Sequence, residues 1–145
     1  MRAVIQRVIK SQVFIDETIK AAIGHGLVIL LGIEKGDNRE KVDYLTKKIT
    51  NLRIFGDKEG KMNLSLVDIG GKAIVVSQFT LMADIHKGNR PSFIHAAPPD
   101  IARPLVDYFI QRMKTYGVET QSGEFAAHML VEIHNDGPVT ILMDI

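Results

Sequence analysis

The chain has 145 residues, no cysteine, and 18 basic against 17 acidic side chains, for a formal charge of +1. That length suits one domain able to bury its own core. The missing cysteines exclude disulfides and thiolate metal sites, and the near-zero charge offers no bulk field for wrapping nucleic acid. The longest apolar run, residues 27–31 with Ile33 beyond Gly32, falls far short of the ~20 residues of a membrane helix. The first residues carry Arg2 and Arg7 within an apolar run and lack the pattern of a signal peptide. The expectation is a soluble, cytoplasmic chain with no membrane partner.

Residues 1–15 are rich in Val and Ile and read as a strand, Asp16-Glu17 as a polar turn, and residues 18–23 as the hairpin partner. Gly24 and Gly26 introduce Leu27-Val28-Ile29-Leu30-Leu31, whose continuous apolarity suits a central strand covered on both faces. Asp37 with Glu40 predicts a capping box, and Val42, Leu45, Ile49 and Leu52 recur behind it at helical spacing. Asp57-Lys58-Glu59-Gly60 and Gly70-Gly71 are turns, the second aiming a strand that starts at Lys72. Alternation there puts Ala73, Val75, Ser77 and Phe79 on one face and Ile74, Val76, Gln78 and Thr80 on the other. Ser77 and Thr80 can therefore converge only if the strand bulges or turns.

Asp100 is the expected cap of a second helix with a stripe of Ile101, Leu105, Tyr108, Phe109, Met113 and Tyr116, Pro104 in or beside its first turn, and Gly117 at its end. Two tail strands follow, one through Met129, Val131 and Ile133 and one through Val139, Ile141, Met143 and Ile145. Asn135-Asp136-Gly137-Pro138 between them reads as a hairpin turn. These elements predict a single α+β domain over residues 1–145: a mixed or antiparallel, barrel-like sheet with two amphipathic helices. Two helices cover only part of such a sheet, and the uncovered apolar surface points to a homo-oligomer.

The stretch Ser77-Gln78-Phe79-Thr80-Leu81 ends a strand just before the polar segment 84–99, where a scaffold usually stops and a site begins. Ser77 and Thr80 are either nucleophiles or structural hydroxyls; no His or Asp partner is evident from spacing. Gln78 either contacts a substrate or closes the strand, and Phe79 either packs in the core or presents its backbone N–H to an oxyanion. Lys87, Arg90 and His95, with His86, concentrate positive charge in the following loop. The five histidines show no metal-ligand spacing, and the glycines fit no nucleotide fingerprint, so neither a metal nor a cofactor is predicted. Pro138 fixes the direction of nearby carbonyls.

Five blocks, Gln6-Arg7-Val8, Gly60-Lys61-Met62-Asn63-Leu64, Ser77-Gln78-Phe79-Thr80-Leu81, Arg90-Pro91-Ser92-Phe93 and Asn135-Asp136-Gly137-Pro138-Val139-Thr140, stand in this order along the whole chain. Together they resemble the D-aminoacyl-tRNA deacylase family. The resemblance implies a homodimer that hydrolyses the ester of D-aminoacyl-tRNA, and of glycine on a non-cognate tRNA, at the acceptor end of tRNA and not on DNA. It implies a Gly-Pro pair, here Gly137-Pro138, reaching from one subunit into the other's pocket to exclude L-residues, with Arg7 supporting it. It further implies a pocket wall of Ser77, Gln78, Phe79 and Thr80, with Met129 as a lining residue. Catalysis would rest on the Phe79 N–H and the RNA 2′-hydroxyl, with Thr80 as the alternative nucleophile.

Overall fold

The computed structural model describes residues 1–145. A long first strand, β1 (Arg2–Ile15), turns through Asp16 and Glu17, both at positive φ, into β2 (Thr18–Ile23), and β3 (Gly26–Gly32) follows. Helix α1 (Arg39–Thr50) and a short hairpin of β4 (Phe55–Gly56) and β5 (Met62–Leu64) lead to β6 (Lys72–Ser77). A 3-10 turn over Phe79–Met82 and a loop precede α2 (Pro99–Thr115), β7 (Thr120–Ser122) and the last strand, β8 (Leu130–Asp144). The main sheet runs β2-β1-β3-β6-β7, with β8 on the free side of β1. The β3, β6 and β7 pairings are parallel and the rest antiparallel. The Gln121 amide brings the two ends of this path together: Oε1 accepts from Ala22 N–H and Nε2 donates to Ala22 C=O, both at 2.9 Å. The result is the mixed, nearly closed, barrel-like sheet with two helices that the sequence predicts.

The apolar run of β3 is buried on both faces. Leu27, Ile29 and Leu31 pack with Val42, Leu45, Ile49, Phe109 and Met113 under the helices, while Val28 packs with Val8, Val13, Ile74 and Val76 inside the sheet's curve. Each such side chain removed from water contributes ~1.5–3 kcal/mol. No helix is long and apolar enough to cross a membrane.

Three local expectations change in the fold. Asn38, not Asp37, caps α1 by accepting from Lys41 N–H at 3.0 Å. Asp37 is drawn away by the N-terminal ammonium of buried Met1 (3.1 Å), Lys41 Nζ (2.8 Å) and Glu34 N–H (2.7 Å). Helix α2 starts at Pro99, with Pro98 rather than Asp100 in the cap position and Pro104 inside the helix. Its buried face holds Ala102, Leu105, Val106, Phe109, Ile110 and Met113, so Ile101 points to solvent.

The third concerns the tail. Asn135-Asp136-Gly137-Pro138 does not reverse the chain: β8 is one strand whose two halves both pair with β1, Arg2↔Asp144 to Gln6↔Thr140 and Lys10↔His134 to Phe14↔Leu130. The turn residues form a bulge between these halves, opposite Arg7. A turn signal marks a departure from the ladder, and here fourteen residues of β1 continue past it and recapture the chain.

Candidate active site

Strand β6 ends because Gln78 N–H makes the last parallel bond, to Leu31 C=O at 2.8 Å, and the chain then winds into the 3-10 turn. Gly32 makes room for that turn. A Cβ there would stand 2.9 Å from Met82 Cε, 3.0 Å from Gln78 O and 3.1 Å from Leu81 Cβ. Arg2 holds the turn from the other side, with Nη1 donating to Leu81 C=O at 2.9 Å and Nε paired with Asp144 Oδ2 at 2.9 Å.

As the first residue of the turn, Phe79 has no acceptor within it for its N–H, and Gln78 supplies no side-chain cap. Gln78 Nε2 instead donates to Thr80 Oγ1. The departure from strand geometry that a Ser77/Thr80 encounter requires is present, yet neither hydroxyl is hydrogen-bonded to a His, Asp or Glu. In the loop that follows, an acid and a histidine are engaged with each other: Asp84 Oδ1 accepts from His86 N–H (2.9 Å) and contacts His86 Nδ1 (2.7 Å). These bonds, the backbone one first, hold the Asp84 carboxyl below its usual range. Phe79 is 55% exposed, and its ring meets Phe93 edge-to-face at 5.0 Å.

Beside the turn lies a cavity of about 550 Å³ with eleven apolar residues among its fifteen. Ile33, Ser77, Gln78 and Phe79 form one wall, Ala97, Pro99 and Ala102 a second, and Phe125, His128, Met129 and Val131 a third. The segment carrying Met129 is fixed by Glu124 N–H, which donates to Met129 Sδ at 3.4 Å. Of the expected site residues, Ser77, Gln78, Phe79 and Met129 thus converge on the cavity. Thr80 points back to Gln78.

Arg7, Gly137 and Pro138 are outside the cavity lining. Arg7 pairs with Leu27 and Ser77 with Leu31, so at about 3.3 Å per residue they sit ~13 Å apart along β3. The Arg7 guanidinium secures the bulge: Nε donates to Asp136 C=O (3.2 Å) and pairs with Asp136 Oδ2 (3.0 Å), and Nη1 donates to Ile54 C=O (2.6 Å). Asn135 Nδ2 donates to the carbonyls of Arg7 and Val139, each at 2.9 Å. Gly137 has φ +121°, its peptide to Pro138 is cis, and both residues are exposed. Sequence reasoning missed Ala97, Ala102, Phe125 and Val131, because small or apolar side chains read as ordinary core until the helix and the β7–β8 connection are placed.

This architecture is shared with hydrolases that act on aminoacyl-tRNA. The family model described as D-Tyr-tRNA(Tyr) deacylase matches residues 4–144, and the chain belongs to that family. It is 53% identical over 144 residues to the D-aminoacyl-tRNA deacylase of Thermomicrobium roseum, covering 99% of this chain and 94% of the relative. With the enzyme of that name from Clostridioides difficile the identity is 54%, covering 99% and 97%. Among solved structures, the c-Myc DNA unwinding element binding protein superposes with TM-score 0.94 at 39% identity, covering 99% of this chain and 98% of that one. A probable eukaryotic D-amino acid tRNA deacylase superposes with TM-score 0.84 at 17% identity over the same shares and shares the fold.

Proposed function

We propose that this deacylase hydrolyses D-aminoacyl-tRNA, and glycine on a non-cognate tRNA, through a backbone oxyanion donor, and that it screens chirality with a Gly-Pro element lent by a second subunit in the cytoplasm. The observation that carries the reading is the uncapped Phe79 N–H at the edge of an apolar cavity, with neither the Ser77 hydroxyl in its lining nor the adjacent Thr80 hydroxyl bonded to a base. Water adds to the ester carbonyl, the Phe79 N–H donates a hydrogen bond to the oxyanion that develops there, and collapse expels the 3′-oxygen of the terminal adenosine, which takes up a proton released by the water. Such a donor in a dry site contributes about 2.7–4 kcal/mol to the transition state. The neighbouring 2′-hydroxyl of the RNA helps activate the water, which ties the reaction to RNA and leaves DNA untouched.

Ser77 and Gln78 orient the substrate, and Met129 packs against it. The exposed bulge of Gly137 and Pro138, braced by Arg7 and lying away from its own chain's cavity, suits a role in a partner's site. There a rigid backbone leaves space for hydrogen or a D-side chain and clashes with an L-side chain. The exposed apolar residues Leu130 and Leu142 on β8 support a homodimer.

Paired D- and L-tyrosyl-tRNA, with a D-ester on tRNA ending in 2′-deoxyadenosine, test the reading. The expected result is rapid loss of the D-ester, persistence of the L-ester and at least ~10²-fold slowing without the 2′-hydroxyl. Equal D and L rates, or a monomer in sedimentation that retains chiral selection, would overturn the cross-subunit screen.

A further inference from the structure

Resting on the deacylase reading, we propose that Arg103 binds the phosphate linking the terminal adenosine to the preceding nucleotide, and so positions the RNA strand as it leaves the cavity. Arg103 follows Ala102, a cavity-lining residue near the start of α2, and its guanidinium carbon stands 4.9 Å from the centre of the Phe125 ring, another part of the lining. The cation is thereby fixed at the rim. It makes no ion pair: Asp100 and Asp107, one helical turn to either side, do not reach it, and Glu124, next to Phe125, is taken by Lys20 at 3.7 Å. Lys72 and Arg112, by contrast, are each neutralised, by Glu119 at 2.8 Å and Asp43 at 2.6 Å.

A guanidinium stacked on an aromatic ring keeps its N–H fork free at the edges, and that fork matches the oxygens of a phosphodiester. The substrate demands such a contact at this place. Its ester and terminal nucleoside enter an apolar cavity, whereas the phosphate that follows is charged and must stop at the mouth. A chain of net charge +1 cannot hold tRNA by a broad field, so single well-placed cations matter more.

The test compares D-tyrosyl-tRNA with 3′-D-tyrosyl-adenosine, which lacks the phosphate, using wild type, Arg103→Gln and Arg103→Lys. Arg103 is exposed, so both variants keep the fold. Arg103→Gln is expected to raise KM for the tRNA about tenfold with kcat within twofold, to leave the nucleoside ester unchanged, and to reduce the salt slope of log kcat/KM by about 0.7. Arg103→Lys should restore most of the salt slope. Equal losses on both substrates would mean that Arg103 only supports Phe125, and an unchanged KM and slope for the tRNA would mean that it touches no phosphate; either overturns the proposal. A wild type that releases D-tyrosine from neither substrate would overturn the deacylase reading itself.

Discussion

Arg7 and Gly137 are in contact across the β1–β8 bulge: a Cβ on Gly137 would lie 2.9 Å from Arg7 Nη2, and 2.8 Å from Val139 Cγ2. The glycine is therefore required twice, by its φ of +121° and by the guanidinium against it. Gly137→Ala should push the guanidinium off the Asp136 and Ile54 carbonyls and loosen the bulge. The expected cost is ~1–3 kcal/mol of stability with a loss of D-over-L selectivity, read from thermal melts and from paired rates on D- and L-aminoacyl-tRNA. Unchanged selectivity in a folded variant would remove Gly137 from the chiral screen.

Gly32 governs the other wall. A methyl group there meets Met82 and the Gln78 carbonyl, and the carbonyl, which accepts from Leu81 N–H at 3.2 Å, cannot swing away as a side chain could. Gly32→Ala should shift the Phe79–Met82 turn by a fraction of an ångström. Misplacement of an oxyanion donor reduces chemistry more than binding, so kcat should drop ~10- to 100-fold with KM little changed. Steady-state kinetics on D-tyrosyl-tRNA give the split, and equal changes in both constants would argue against this role for the turn.

Thr80 offers a sharper decision. Its hydroxyl accepts from Gln78 Nε2, and no base is hydrogen-bonded to it, so Thr80→Ala should retain single-turnover deacylation within about threefold. Removal of a true covalent nucleophile costs ~10⁴-fold or more. A collapse of that size would restore Thr80 as nucleophile.

What the sequence made legible follows the range of the interactions involved. The β1–β2 hairpin, β3 and α1 rest on periodicity over short stretches, and they stand where periodicity puts them, except that α1 stops at Thr50, short of Leu52. The cap of α1 is not legible locally, because Asp37's competitor, the Met1 ammonium, is 36 residues distant. The bulge at Gly137-Pro138 carries the chemistry of a hairpin turn, and only pairing with β1, over 120 residues away, makes it something else. The opening wall of the cavity was visible because hydrogen-bonding side chains end an apolar strand at Ser77. The opposite walls, from Ala102 and Phe125, are written in residues that serve equally well as core.

Stability should fall on the acid side through a small set of carboxylates. Asp68 is held below its usual range by Ser65, whose hydroxyl (2.7 Å) and N–H (2.8 Å) both donate to Oδ2. Asp57 is lowered first by Lys61 N–H, and Glu119 first by Lys72 Nζ. A carboxyl depressed in the folded state stabilises fully above its unfolded pKa, and the contribution disappears as pH falls through the folded value. The stability plateau should therefore extend down to about pH 5 and drop below about pH 4. On the alkaline side Lys41, raised by its bond to Asp37, contributes below its unfolded value and ceases to as pH rises through the folded one. Asp68→Asn should lower the melting temperature at pH 7 and flatten the decline between pH 5 and 3, since it removes one of the groups that takes up a proton. Melting curves across that range check both effects, and an acid limb unchanged in Asp68→Asn would show that Ser65 does not couple Asp68 to folding.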